Sequence, residues 1–320
     1  SNEDLLTYIR QTPNSEVFGL FKMQLALYNW SGKDSTKWIN RWLKKIGDEP
    51  VIYNSQLTTI TELELKKLYA NKGYINAEVT SEVSNTKKKQ INLEYKIKSN
   101  QPYKLRGYSV NILQKDLYEI AADTSQCLIK TGKLFDSDKL NDERTRITNK
   151  FRQSGYYNFN KDFLHYFADS TLNSHQIDAV LELSDNLKSA KDSVKQRVFR
   201  QYSINKVHFY SETDKSLDQP DDIIRLDTAT VGNYEIIYEK NQNIRPSVLI
   251  EKTHIIPQNL YSDLDVERTY SSLNALSAIK YMNISFREME ENKLDCYIIL
   301  SPNKLQSIST DVEGTYSAGY

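Results

Sequence analysis

Two stretches of this chain repeat one irregular spacing of apolar residues. Tyr103, Leu105, Tyr108 and Val110 step by two, three and two, and Tyr202, Ile204, Val207 and Phe209 do the same. Each follows a polar stretch and reads as an opening strand with a kink where the alternation breaks. Self-similarity constrains a fold more tightly than composition, because every copy must be one supersecondary unit. A second pattern occurs three times: Ile91, Leu93, Tyr95, Ile97; Ile177, Ala179, Leu181, Leu183; and Leu294, Cys296, Ile298, Leu300. Period-2 alternation marks a strand with one face on a core.

Helical sequence lies between the opening and closing strands. One copy is Leu63, Leu65, Leu68 and Tyr69, stopped at Gly73-Tyr74. The next is Leu140, Glu143, Arg144, Ile147 and Phe151, stopped at Gly155-Tyr156-Tyr157. Glycine just past a helical stripe is a C-terminal cap, since it takes the left-handed conformation at little cost. Ser137 or Asp138 can cap the start of the second of these helices. A third copy, from Glu267 to Tyr281, keeps the helix without the glycine. Each helix runs into a strand, over 74–83, 157–168 and 281–287, and short polar turns lead on to the closing strand. The last two strands of a unit therefore form an antiparallel hairpin rather than part of a doubly wound sheet. The expected fold class is α+β: β-α-α-β-β modules, each a three-stranded mixed sheet with two helices on one face.

That order, with Gly-Tyr ending the second helix, resembles the POTRA (polypeptide-transport-associated) domain. It stands in tandem before the barrel of BamA- and TamA-like outer-membrane proteins, the bacterial surface antigen family. The matching residues are Phe135 to Tyr157, with Leu140, Glu143-Arg144, Ile147 and Gly155-Tyr156-Tyr157, and the earlier copy Lys72-Gly73-Tyr74-Ile75-Asn76-Ala77. The division that follows is a first module over 1–100, with its opening strand missing or displaced and an insertion about 14–52. A second module covers 101–187. A third covers 200–301, with an insertion about 212–260. Residues 302–320 are then a linker and the start of a first membrane-barrel strand. In that tail Ile308, Thr310, Val312, Gly314 and Tyr316 alternate with Ser307, Ser309, Asp311 and Glu313, as a strand between lipid and a polar lumen does. An ordinary polar tail is the plainer alternative.

Composition bounds the remaining choices. Lys+Arg and Asp+Glu are both 42 in 320 residues, so nothing draws the chain as a whole to nucleic acid or anionic lipid. The 2 cysteines, Cys127 and Cys296, are too few for a disulfide framework and show no zinc spacing. Cys296 is in register with a buried strand face, Cys127 is expected on a helix, and the two are expected unbonded. The chain opens Ser1-Asn2 without a Met or a signal peptide, read as an N-terminus already removed. His165, His175, His208 and His254 stand in no HExxH or paired spacing. The glycines form no phosphate loop or nucleophile elbow. Asp221-Asp222 and Glu288–Glu291 read as solvated loops, and Glu143-Arg144 as a helix-surface contact worth little if exposed. No catalytic residue, metal ligand or cofactor is expected. Residues 18–46 carry Trp30 and an amphipathic stripe of Trp38, Ile39, Trp42, Leu43 and Ile46, with Lys37, Arg41, Lys44 and Lys45 on its polar side. A stripe of this width covers the first module's core, though basic and Trp-rich is also how an interfacial membrane helix reads.

The resemblance implies recognition without catalysis, on the periplasmic side of the outer membrane. Unfolded outer-membrane polypeptides or assembly-complex subunits would add a strand to a free sheet edge. The edge residues expected to bind are Tyr157, Phe159, Lys161 and Phe163, and Tyr281, Asn283, Ile284 and Phe286. The alternatives are a translocator of the same architecture exporting one dedicated substrate, and a surface enzyme that carries such modules.

Overall fold

The computed structural model describes residues 5–14, 23–32, 34, 36–85, 90–170, 174–183, 198–211, 226–239 and 245–303. Helices α1 (Met23–Trp30), α2 (Trp38–Ile46) and α3 (Ser55–Asn71) precede an antiparallel hairpin of β1 (Glu78–Asn85) and β2 (Ile91–Lys98). Next come β3 (Lys104–Asn111), α4 (Lys115–Ala121), α5 (Ser137–Gln153), β4 (Leu164–Asp169) and β5 (Gln176–Leu183). The last set is β6 (Ser203–Ser211), β7 (Leu226–Val231), β8 (Tyr234–Glu239), α6 (Pro246–Glu251), α7 (Asp263–Asn274), β9 (Ile279–Met289) and β10 (Lys293–Pro302). The sheets are β1-β2, β3-β5-β4 and β7-β8-β6-β10-β9. By contact the residues divide into two compact units: Ser1–Tyr108 with Leu128–Asn141 and Phe167–Val180, and Ser109–Cys127 with Asp142–Tyr166 and Leu181–Tyr320.

The α+β reading of the repeat holds. The third repeat pairs its opening strand β6 parallel to β10, and β9 antiparallel to β10. In the second repeat Lys104 meets His175, Arg106 meets Asp178 and Asn111 meets Glu182, so β3 runs parallel to β5. The 2-3-2 spacing is a β-bulge. Leu294 faces Ile204 and Cys296 faces Val207, so β6 advances three residues while β10 advances two. The bulge keeps Ile204, Val207 and Phe209 on one face, where they pack with Leu294, Cys296, Ile298 and Leu300 under Leu249 of α6 and Leu273 of α7.

Several elements differ from the sequence-based expectation. The 212–260 insertion contains β7 and β8, so the third sheet has five strands rather than three. In the second repeat the strand begins at Leu164, not Tyr157. Residues 157–163 are a turn and the 3₁₀ turn Lys161–Phe163, because Phe159 is drawn into the core beside Phe151. The cap of α5 is Asp136, whose carboxylate accepts from the Asp138 amide, rather than Ser137 or Asp138. Glu143 is fully buried and held by both ends of the Arg146 guanidinium at 2.6 and 2.8 Å, while Arg144 donates to the Leu164 carbonyl. It is not an exposed pair. Cys127 follows a 3₁₀ turn and lies on no helix. Cys296 is buried, which pushes its thiol pKa up, and no disulfide joins the two. The stripe of α2 buries nothing, and Trp38, Ile39 and Trp42 are exposed. The barrel-strand residues Ile308, Thr310, Val312, Gly314 and Tyr316 lie outside the described residues.

Candidate functional site: sheet edges and the repeat joint

A joint built from the same four groups occurs twice. Gly73 and Gly155 end α3 and α5 with φ of +94° and +100°. A side chain at Gly73 would meet the Phe135 carbonyl oxygen at 2.7 Å, so both the turn and the close approach require glycine. The Gly73 carbonyl accepts from the Tyr103 amide, and the Gly155 carbonyl from the Tyr202 amide, each at 2.8 Å. Three residues past each glycine an asparagine amide reaches the same tyrosine's hydroxyl: Asn76 to Tyr103 at 3.3 Å, Asn158 to Tyr202 at 2.9 Å. A cation at the end of each helix then reaches the start of the next repeat's second helix. Lys72 pairs with Asp136 and Asp138, and Arg152 with Asp263.

The second joint is the more elaborate. Arg152 donates to both oxygens of Asp263, to the Tyr261 hydroxyl at 3.0 Å, and to the carbonyls of Tyr157 and Phe159. Burial opposes its charge, but Asp263 overcomes that and holds the guanidinium pKa above its usual value. Burial, then the hydrogen bond to Asp263, pushes the Tyr261 phenol up. Tyr157 packs edge-on against Tyr202 and Tyr261, at 5.9 and 5.0 Å between ring centres, and lies 5.7 Å from Phe286. Beside this cluster a cavity of about 500 Å³ is lined by Tyr156, Asn158, Phe159, Phe199, Tyr202 and Glu288, among others. Its polar groups satisfy one another: Asn158 and Tyr202 both donate to Glu288, at 3.0 Å.

The expected edge residues therefore separate. Tyr157 belongs to the joint, and Phe159 and Phe163 pack with Phe199. Lys161 sits in the 3₁₀ turn. None of the four lies on a strand. Tyr281, Asn283, Ile284 and Phe286 lie on β9, an edge strand of eleven residues. Ile284 and Phe286 pack on the core, while Asn283 is exposed and Tyr281 is 66% exposed.

On the other side of that sheet a hairpin extends β6, so the second edge strand is β7. β8 pairs parallel to β6 over Val207–Tyr210, and β7 pairs antiparallel to β8. The hairpin is anchored on both faces, with Ile236 buried in the core and Glu235 at 2.7 Å from His208 Nδ1. The first residues of the opening strands are also covered. Leu134 bridges Lys104, and Leu260 bridges Ser203, each antiparallel. The equivalent segment of the first repeat, Val51–Tyr53, leaves Ile52 84% exposed. Sequence reasoning missed this hairpin and the bonding of the joint. The hairpin's signal was the turn dipeptide Gly232-Asn233 between two strand-like runs.

Among the described residues no group of three His, Cys, Asp or Glu side chains is placed to hold a metal. No described helix is long and apolar enough to cross a membrane.

Helices and mixed sheets of this order define a protein of the α+β class. The family model of the POTRA domain, the surface antigen variable number repeat, matches residues 34–100, so that stretch is similar to a POTRA domain. Among solved structures, the chain is similar to POTRA domains 3–5 of Haemophilus influenzae BamA (11% identity, 84% of this chain and 92% of that one, TM-score 0.40). It is also similar to Haemophilus ducreyi BamA lacking POTRA domains 1–3 (12% identity, 63% and 30% covered, TM-score 0.42). A third is the N-terminal domain of Omp85 from Thermosynechococcus elongatus (10% identity, 85% and 94% covered, TM-score 0.28). Likenesses this distant add no argument of their own. No curated protein matches the chain.

Proposed function

We propose that this chain is the periplasmic recognition region of an outer-membrane β-barrel protein that assembles or inserts other outer-membrane proteins. It is a non-catalytic scaffold of three POTRA-like repeats, with boundaries near 100 and 200. It binds extended segments of unfolded outer-membrane polypeptides, or assembly-complex subunits, by strand addition. The observation that supports this reading is that β9, Ile279–Met289, the longest strand of its sheet, is an edge strand among the described residues; the shorter β7 is the other edge. An unpaired edge offers a row of backbone donors and acceptors, and main-chain bonding tolerates many client sequences. Strand addition also asks nothing of cofactors or titrating groups.

Site-specific photocross-linking tests it. A photoreactive residue in place of Tyr281 is expected to capture an outer-membrane barrel protein diluted from urea. The same residue at Tyr234, on the inner strand of the inserted hairpin, is expected not to. Equal capture at both sites, or none at Tyr281, contradicts strand addition at β9.

A further inference from the structure

Helices α1 and α2 lie in the 14–52 stretch expected as an insertion, and α2 falls within residues 34–100 that the family model matches. With about 100° between successive residues of a helix, Trp38, Ile39, Trp42 and Ile46 of α2 fall within one arc roughly 100° wide. All four are exposed, Trp38 by 69% and Trp42 by 54%, and α2 buries no residue. The helix is nevertheless held in place. Asn40 donates to the Asp34 carbonyl at 2.7 Å and accepts from the Gly32 amide. The Asp48 amide bonds the Gln24 carbonyl of α1 at 3.1 Å. A side chain at Gly47 would strike the Tyr28 backbone nitrogen at 2.5 Å, so α1 and the end of α2 are in close contact. The arc thus points away from the packing that fixes the helix.

Its surroundings are cationic. Lys37, Arg41, Lys44 and Lys45 lie on or beside α2, and no acidic residue occurs between Asp34 and Asp48. Indole rings favour the headgroup level of a bilayer, isoleucine the acyl boundary, and lysine and arginine the phosphates. Nine residues cannot span a bilayer, which takes about 20. A second copy docked on the same arc would set like charges against one another at its rim. We infer that α2 docks this part of the chain onto an anionic phospholipid surface, lying in the plane of the interface. This does not depend on strand addition at β9, and either can fail without the other.

All 3 tryptophans, Trp30, Trp38 and Trp42, stand in this stretch, so their fluorescence reports on it alone. The full chain is mixed with vesicles of phosphatidylglycerol and phosphatidylethanolamine, and separately with phosphatidylcholine vesicles. The emission is expected to shift to the blue with the anionic vesicles, with the shift reversed by salt, and the chain is expected to float with them. Arg41→Gln and Lys45→Gln should each weaken partition about five-fold, and Trp38→Ser with Trp42→Ser should abolish flotation. No shift and no flotation would overturn the inference. An emission already blue without lipid would also overturn it, whether through a second copy (if it changes on dilution) or through the chain's own cover (if it does not).

Discussion

Replacing Glu143 by alanine is expected to destabilise the second repeat by about 3–5 kcal/mol, the usual cost of breaking a buried ion pair from one side. Glu143 is fully buried, and the side chain of Arg146 is 14% exposed. Their two hydrogen bonds form a parallel fork, the strongest arrangement a carboxylate and guanidinium can make. Without the carboxylate, a largely buried cation loses both bonds of the fork. Glu143→Gln should cost less, because one acceptor survives. Glu143→Leu combined with Arg146→Met should recover most of the loss, since an apolar pair of similar volume needs no partner. Urea unfolding followed by circular dichroism measures all three. A loss under about 1 kcal/mol for Glu143→Ala would return the pair to the surface role its sequence suggests.

Removing Arg152 should loosen the joint between the second and third repeats. Arg152→Ala deletes the bonds to Asp263, Tyr261, Tyr157 and Phe159 together. Hydrogen bonds to charged groups contribute about 1.5–3 kcal/mol; several are lost together but the pair is partly solvated, which screens it, so a loss of roughly 2–3 kcal/mol is expected. Arg152→Lys should not rescue it, because an ammonium cannot span two carboxylate oxygens, a hydroxyl and two carbonyls at once. Amide exchange reads the effect locally. The Tyr202 and Tyr261 amides, bonded to the carbonyls of Gly155 and Tyr202, should lose protection while the centre of β10 keeps it. Unchanged protection at both would show that the aromatic contacts hold the joint without the cation.

The parts of this fold that local pattern carries were legible. The 2-3-2 spacing is the bulge of β6, and Leu294, Cys296, Ile298 and Leu300 are buried in the alternation their sequence shows. Gly73 and Gly155 are left-handed as a cap requires. What was not legible depends on partners distant in sequence. The Gly-Tyr signal was visible, but not that Gly155 bonds a residue 47 positions on. Tyr157, Phe159 and Phe163 alternate as a strand would, yet Phe159 turns into the core against Phe151 and Phe199 and breaks the run. Glu143 reads as surface because it is charged, whereas it is buried with a fork of hydrogen bonds from Arg146 on the next turn of the helix. Gly232-Asn233 marks a hairpin, but no local rule says that it joins β6, which makes β7 rather than β6 an edge strand of that sheet.

Hydrogen exchange across β9, with and without an outer-membrane barrel protein diluted from urea, tests the central claim most directly. Strand addition predicts that amides of Ile279–Met289 gain protection on binding, while those of β8 and β6 are unchanged because their edges are already paired. Binding that leaves β9 exchange as it was, or that protects β6 only after β8 is displaced, would contradict it.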